Sequence, residues 1–388
     1  MKLALLSNIN MDPVIRMLKK ESENNIYSVQ GYGNELGSLL NKESSLYDFK
    51  PEIVFLIIDI MEVIQHNIQV TSAEERIKEW FSLFESAIQE NIVYYVSDAY
   101  LYGFEMNVVW DKSLKGTVEK LWADCLKQVE GRHSNIRVFP YSRMIQKIGE
   151  DNAFSSKMWY MGKILHSSLS HKELIEEITH YVDVESRTSK KVLLLDLDNT
   201  LWRGLAGEND ITPIVLSEDG VGLVYKNFQR SIMQLKEQGV ILGIVSKNNE
   251  NDALEIIDNH PHMVLRSKDF AITRINWKNK SENILSISKE LNVGVDSIVF
   301  IDDNPVERML IRESLPDVIT PDFPERPEEL TNLISEIYYK YFEKAIVTDD
   351  DRRKTSQYHA NSERKKLMET SIDFDSYLKS LQMKICRE

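Results

Sequence analysis

Cysteine is nearly absent from this chain: Cys125 and Cys386 are the only two, far apart and without metal-type spacing. A disulfide framework and a cysteine-ligated zinc site are therefore excluded as the basis of the fold, and a reducing compartment fits. Long hydrophobic runs are missing too. The amino terminus, MKLALLSNINMD, holds only four consecutive apolar residues, Leu3 to Leu6, too few for a secretory signal. No run approaches the ~18 apolar residues that read as a membrane-spanning helix. Positive charge is in deficit, with 47 Lys and Arg against 61 Asp and Glu and a formal net charge of -14. General binding to a nucleic-acid backbone needs a basic surface, so neither a nucleic-acid nor a membrane partner is expected. A cytoplasmic location is. A small anionic substrate stays open, because a local pocket can be basic on an acidic protein.

What is present is an α/β rhythm, with short apolar runs alternating with longer amphipathic stretches. The chain of 388 residues is too long for one typical core, which argues for two domains. In the first half the pattern predicts strands over 3–6, 53–58, 92–96 and 136–139. Helices are predicted over 13–20, 73–89, 117–128 and 172–182. The polar, aperiodic stretch DVESRTSKK, 183 to 191, marks a boundary. The rhythm then restarts, with strands predicted over 192–195, 240–245 and 298–301 and helices over 223–238, 252–258 and 281–291. Between the first of these strands and helices, WRGLAGENDITPIVLSEDG suits a β-hairpin flap. Asn304 and Pro305 read as the cap and first turn of another helix. The expected division is 1–185, 186–345 and a charged, helical tail or connector over 346–388.

The chemistry concentrates in the second half. Three apolar strands there each end in polar residues: Asp196 and Asp198, Ser246 and Lys247, and Asp302 and Asp303. In open parallel sheets ligands bind beyond the carboxyl ends of the strands, so these ends can converge. Four carboxylates so close cannot all ionise without a cation, and a hard, oxygen-preferring ion that keeps several waters fits: Mg²⁺. Such a site can run phosphoryl transfer, with one carboxylate attacking phosphorus and a second moving the protons. Ser246 can hold a phosphoryl oxygen, and so can Lys280, with Lys278 its neighbour and competitor. Alone, the pair Asp196 and Asp198 could merely cap a helix or line a solvated turn.

With DLDNT, VSKNN, the lysine of WKNKSENI and FIDDNP in that order, the sequence resembles the haloacid dehalogenase-like (HAD) superfamily. The resemblance implies Asp196 as nucleophile and Asp198 as general acid/base. It implies Thr200, Ser246, Lys247, Asn248 and Lys280 around the phosphate, and Mg²⁺ held by Asp196, Asp198 (through its main-chain carbonyl), Asp302 and Asp303. The longer stretches DLDNTLWRGLAGE, VSKNNENDALEII, INWKNKSENI, LNVGVDSIVFIDDNPVER and TDDDRRKTSQY resemble the FkbH-like group within HAD subfamily IIIC. Its members are described as glyceryl transferase/phosphatases of polyketide pathways. They act on 1,3-bisphosphoglycerate and load the glyceryl unit on the phosphopantetheine thiol of an acyl carrier protein. LALLSNINMDPV and KMWYMGKILHS are similar to that group's N-terminal SGNH-hydrolase-like domain. The fold class implied is two three-layer α/β domains, the second a HAD-type Rossmann-like parallel sheet with a flap. Two departures stand out: LLSN replaces the GDS motif of an SGNH nucleophile, and no third, acetyltransferase-like domain follows before Glu388.

Other residues carry weaker signals. Ser7 and Asn8 could line a site in the first domain. Trp202 and Trp277 flank the motifs and could wall the pocket and meet substrate or partner, or simply pack in the core; Arg203 and Arg274 could also meet substrate or partner. From Pro261 to Lys280 the chain places Arg266, Lys268, Arg274, Lys278 and Lys280 against Asp269 alone. That excess reads either as a docking surface for an acidic carrier protein or phosphorylated substrate, or as a solvated face. Cys125 sits in a helical pattern and reads as packing. Two rival functions remain beside glyceryl transfer: a phosphatase of a small phosphorylated metabolite without a carrier, and a carrier-recruiting binding module.

Overall fold

The computed structural model describes residues 1–22, 25–28, 32–65, 70–102, 114–206 and 214–346. The chain divides into two compact units, Met1–Ser186 and Arg187–Glu388.

The first unit is built on a five-stranded parallel sheet. Its strands are β1 (Lys2–Ser7), β2 (Asn25–Ser28), β3 (Ile53–Ile57), β4 (Val93–Ser97) and β5 (Ile136–Phe139), in the order β2-β1-β3-β4-β5. Alternate residues feed two separate cores. Leu3, Leu5, Phe55, Ile57, Tyr95 and Phe139 face the helices Asp12–Glu21, Tyr141–Ile148 and Ser168–Ser186. Ala4, Leu6, Val54, Leu56, Tyr94 and Val96 face Val70–Ala87 and Leu114–Arg132. Helices on both faces explain why β3 reads as an unbroken apolar run, since neither face meets water. β2 was not expected from the pattern: NIYS is short, lies at the sheet edge and carries polar residues at both ends.

The second unit repeats the three-layer plan on a four-stranded parallel sheet. β6 (Val192–Leu195), β7 (Ile241–Ser246), β8 (Ile272–Ile275) and β9 (Ile298–Ile301) lie in the order β8-β7-β6-β9. Leu193, Leu195, Leu242, Ile244, Val299 and Ile301 pack toward the helices Gly220–Glu237 and Leu330–Ile337. Val192, Leu194, Val245, Ile298 and Phe300 pack toward Lys280–Leu291 and Pro305–Ser314. β8 escaped the sequence reading because Thr273 and Arg274 interrupt its apolar pattern at the sheet edge.

The division between the units, after Ser186, falls inside the boundary stretch 183–191. The helix expected over 172–182 is longer: it spans Ser168–Ser186, with Val184 buried on it. Only 187–191 leave the helix, and they are tied into the second unit: Arg187 donates to the carbonyls of Tyr339 and Lys340, and the Ser189 hydroxyl to that of Glu343. The flap is legible at its base, where Arg203 bridges antiparallel to Val215; its middle, 207–213, lies outside the described residues. So does the expected helical tail beyond Ile346. Among the described residues no helix is long and apolar enough to cross a membrane.

The sheet of the second unit closes tightly at Gly243, which pairs with Leu194 on one side and Ile272 on the other. A Cβ there would stand 2.7 Å from Leu194 Cδ2 and 3.1 Å from the Ile272 carbonyl oxygen. Gly243→Ala is expected to destabilise the protein by about 1–3 kcal/mol through overpacking, read as a lower urea midpoint; an unchanged midpoint would mean the strands spread freely.

Candidate active site

The topology decides where the polar strand ends meet. β6 lies between β7 and β9, and the chain first winds toward β7 and β8 before crossing to β9. The carboxyl ends of β6 and β9 therefore flank a switch point of the sheet, the place where parallel α/β sheets open a crevice. Asp196 follows β6 and Asp302 follows β9, and the Asp196 amide donates to the Ile301 carbonyl at 3.0 Å.

Lys280 reaches this point from the first turn of the helix Lys280–Leu291. The loop before it is braced by Asn276, whose side-chain oxygen accepts from the Lys278 amide and from the Asn283 amide group, each at 3.0 Å. The Lys280 ammonium lies 3.0 Å from Asp196 Oδ1 and 2.5 Å from Asp302 Oδ2. It is only 5 % exposed, and Asp302 is wholly buried. Its competitor Lys278 is exposed. Oxygens of Asp196, Asp302 and Asp303 all lie within 4.8 Å of one another. At an effective dielectric of about 20, two carboxylates that close repel by at least ~3 kcal/mol.

The charge balance shows in the proton affinities. Burial pushes the Asp302 carboxyl up to about 6, Asp196 adds repulsion, and Lys280 pulls the other way. Burial likewise raises Asp196, opposed by Lys280 and by a hydrogen bond from Ser246. Burial disfavours the Lys280 charge, but the two carboxylates outweigh it and hold the ammonium above its ordinary value. One ammonium between three carboxylates leaves negative charge uncompensated. A donor set made only of oxygens fits a hard divalent cation, with Asp196, Asp302 and Asp303 as its side-chain ligands.

Asp198 is held apart from that cluster. Its Oδ1 accepts from the Trp202 indole at 2.9 Å and from the Ala206 amide at 3.0 Å. Its Oδ2 accepts from the Asn248 amide at 2.9 Å. Burial raises its pKa, the Ala206 and Trp202 hydrogen bonds lower it, and the charge of Asp303 raises it again. The net rise makes this carboxyl a better proton acceptor than a free aspartate. The turn that presents it runs through Asn199 at φ 54°, a left-handed conformation that Asn tolerates.

The remaining sequence-predicted residues divide between this centre and elsewhere. The buried Thr200 hydroxyl accepts from the Asp303 amide at 3.1 Å. Buried Ser246 lies beside Asp196. The Lys247 ammonium pairs with Glu307 at 2.6 Å, and Asn248 serves Asp198. Trp202 is buried in the core rather than walling a pocket. Arg203 is exposed at the base of the flap. Trp277 stands 75 % exposed, three residues before Lys280. Arg274 is turned back onto its own unit, with Glu290 at 2.5 Å and Ser286 at 3.1 Å. Arg266 donates to the Ile257 and His260 carbonyls. With Lys280 buried, the basic stretch leaves Lys268 and Lys278 exposed, which thins the docking surface read from the sequence.

In the first unit the Ser7 hydroxyl donates to the Ile57 carbonyl, and the Asn8 amide is engaged with the Asp59 backbone. The partners of Ser7 are backbone groups, with no general base among them. Sequence reasoning missed Arg308, which donates to the main-chain oxygens of Asp302 and Asp303 at 2.9 and 2.7 Å. Its place one turn into the helix after FIDDNP was the available signal.

With this geometry in hand, comparison with known proteins is informative at the level of structure. No family model and no curated protein matches. The N-terminal part of the protein BF1531 from Bacteroides fragilis, which contains a phosphatase domain complexed with Mg, superposes with a TM-score of 0.73 at 25% identity. The match covers 89% of this chain and 94% of that one. It shows the architecture: two parallel-sheet α/β domains, the second of HAD type. Two further structures match one portion each: a putative lipolytic protein of the G-D-S-L family from Desulfitobacterium hafniense, and 3-deoxy-D-manno-octulosonate 8-phosphate phosphatase from Moraxella catarrhalis. The first is 12% identical over 46% of this chain and 97% of its own, with a TM-score of 0.30. The second is 13% identical over 47% and 98%, with a TM-score of 0.24. At those scores neither adds to the assignment.

Because Asp302 holds its proton up to about 6 when folded and to 3.8 otherwise, the folded state binds more protons over that interval. Its contribution to stability therefore falls as pH rises from about 4 to about 6. Removing the compensating charge should expose this directly. Lys280→Met is expected to destabilise the metal-free protein by about 3–5 kcal/mol at pH 7.5, and by less at pH 5, where the carboxyls take protons. Equal losses at both pH values in urea titrations would show that the lysine balances no buried charge.

Proposed function

We propose that this protein is a Mg²⁺-dependent phosphohydrolase of HAD type that works through an aspartyl-phosphate on Asp196. The observation that carries the reading is the buried ammonium of Lys280 between Asp196 and Asp302, with Asp303 beside them at a sheet switch point. The phosphatase domain complexed with Mg in the Bacteroides fragilis structure supports it. Bound at Asp196, Asp302, Asp303 and the main-chain carbonyl of Asp198, the ion would supply charge neutralisation between carboxylate and phosphoryl oxygens.

The chain's own residues then divide the work. Asp196 attacks phosphorus, forming a carboxyl–phosphorus bond as the bond to the leaving oxygen breaks. Asp198 gives its proton to that oxygen. Water next attacks the phosphoryl group, Asp198 takes the water's proton, and inorganic phosphate leaves with Asp196 free again. Lys280 and the Ser246 hydroxyl, already beside Asp196, hold the phosphoryl oxygens. Trp202, Ala206 and Asn248 keep Asp198 turned away from the ion-binding cluster, so the two aspartates of DLD act in different roles. Thr200 and Arg308 hold the Asp302–Asp303 turn in place.

The finer reading concerns the substrate. The FkbH-like motifs support an acyl phosphate of the 1,3-bisphosphoglycerate type, whose glyceryl unit passes to the phosphopantetheine thiol of an acyl carrier protein in polyketide-type biosynthesis. An acyl phosphate is reactive enough that transfer to a thiol rests mainly on positioning. A simpler phosphatase of a small phosphorylated metabolite is the second reading. It is favoured by one observation: Arg266, Arg274 and Lys280 are engaged within the fold, which removes most of the basic surface a carrier protein would meet.

Asp196→Asn is expected to abolish phosphate release, and Asp198→Asn to slow it by about 10²–10⁴-fold, both with unchanged circular dichroism. Mg²⁺ should raise the melting temperature of the wild type and fail to do so in Asp302→Asn. Substantial turnover by Asp196→Asn would mean that another group attacks phosphorus. Substrate class is read separately. Mixed with holo carrier protein, Mg²⁺ and 1,3-bisphosphoglycerate, the protein should leave a glyceryl adduct visible by intact mass. Robust phosphate release without that adduct would favour the simpler phosphatase.

A further inference from the structure

The stretch KMWYMGKILHS plays no part in the chemistry above. In the first unit it forms a pinned excursion of the chain rather than a plain connection. Phe154 bridges antiparallel to His166. The Ser155 amide donates to the Leu165 carbonyl and the Ser167 amide to that of Ala153, each at 2.9 Å. Between these ties lies the short helix Ser156–Gly162. Compact loops whose ends are tied together are frequently functional.

The excursion is anchored within as well as at its base. Trp159 packs on the core that holds Phe154 and Leu165. The Lys163 ammonium lies 4.1 Å from the centre of the Trp159 ring and pairs with Glu62 at 2.9 Å. Asn10 holds the far end: its backbone amide donates to the Lys163 carbonyl and its side-chain amide to that of Gly162, both at 3.0 Å. Yet this fixed segment turns Tyr160 and Met161 outward, 88 % and 72 % exposed. Met158 is exposed too, and it shares a helix face with Met161 three residues on. Exposed apolar residues scattered singly need no explanation, whereas adjacent ones mark interaction sites. Tyr and Met are enriched where proteins meet, and Met side chains adapt their shape to what covers them.

Charge indicates the partner. Between Asp151 and Glu173 the chain holds no acidic residue but three lysines, Lys157, Lys163 and Lys172. At 61 acidic residues in 388, a stretch of that length would hold about three. Lys157 is exposed next to Met158. Lys172 is exposed on the helix Ser168–Ser186, three residues after exposed Leu169 and on the same face. Such a surface on an otherwise acidic protein attracts an acidic partner. A second copy is disfavoured, because a two-fold contact through this face would bring its lysines against their own copies. A membrane is disfavoured as well: electrostatic attachment takes about 4–8 clustered Lys or Arg. Here one of three lysines is held by Glu62, on a chain of net charge -14. We infer that Met158, Tyr160 and Met161, with Lys157 beside them, form a docking site for an acidic amphipathic helix of a partner protein. The apolar stripe of that helix covers the tyrosine and methionines, and its carboxylates meet the lysines. This inference stands independently of the phosphatase reading.

Fluorescence anisotropy on the full chain tests it with three labelled peptides of about five helical turns. The first carries Leu at helical spacing with Glu elsewhere; the second is the same composition scrambled; the third has Lys in place of Glu. The first should bind with a Kd of about 10–100 µM and weaken several-fold as salt rises from about 50 to about 300 mM. The double variant Tyr160→Ser, Met161→Ser and the single variant Lys157→Glu should each weaken it by about tenfold. Phosphate release at Asp196 should continue as in the wild type in both. The side chains changed are exposed, so the fold tolerates their loss. No binding of the first peptide, equal binding of the scrambled or basic one, or binding that survives either variant would overturn the assignment. So would dependence on Tyr160 and Met161 seen only in self-association by sedimentation, or only on phosphatidylglycerol vesicles.

Discussion

One buried ammonium organises the second unit's chemistry. Lys280 stands 3.0 Å from Asp196 and 2.5 Å from Asp302, with Asp303 completing a cluster of carboxylate oxygens. Without that charge the aspartates at the paired ends of β6 and β9 would repel in a low-dielectric setting. With it, negative charge remains in excess. The remainder is what a divalent ion and the positive phosphorus centre of a substrate would meet. The same arrangement thus offsets part of the repulsion at two paired strand ends and leaves negative charge that a cation would balance.

The two aspartates of DLDNT show how neighbours with the same chemistry come to differ. Asp196 is drawn toward Lys280 and Ser246. Asp198 points the other way, fixed by an indole, a backbone amide and a side-chain amide. Its proton affinity is raised by burial while Lys280 acts chiefly on Asp196. Separation of environments, rather than of residue type, is what would let one carboxylate attack while the other exchanges protons, as the proposed mechanism requires. Trp202 is central here: the side chain that flanks the motif in sequence is a buried donor to Asp198 and no part of a substrate wall.

Much of the architecture was legible because parallel strands covered on both faces must be apolar throughout. β3, β6, β7 and β9 are read directly from such runs. β2 and β8 were not, since edge strands tolerate Ser28 or Arg274 where a central strand would not. The end of the helix Ser168–Ser186 was misjudged because Glu185 and Ser186 look like linker, whereas Val184 is still buried. At the site, strand-end aspartates and the lysine at a helix start were readable from their places in the pattern. Arg308 and the pairing of Lys247 with Glu307 were not, because both depend on which side chains fold back across a turn. The basic excess around Arg274 misled for the same reason: sequence counts charges, while structure decides which of them Glu290 and the backbone neutralise.

The central claim is that Asp196 itself receives the phosphoryl group. Reductive trapping tests it most directly: the protein is mixed with Mg²⁺ and a phosphorylated substrate, quenched with borohydride during turnover, and its peptides are sequenced by mass spectrometry. The account expects homoserine at position 196 and nowhere else, dependent on substrate and on Mg²⁺. An unmodified position 196 under turnover, or reduction at position 198, 302 or 303 instead, would contradict it.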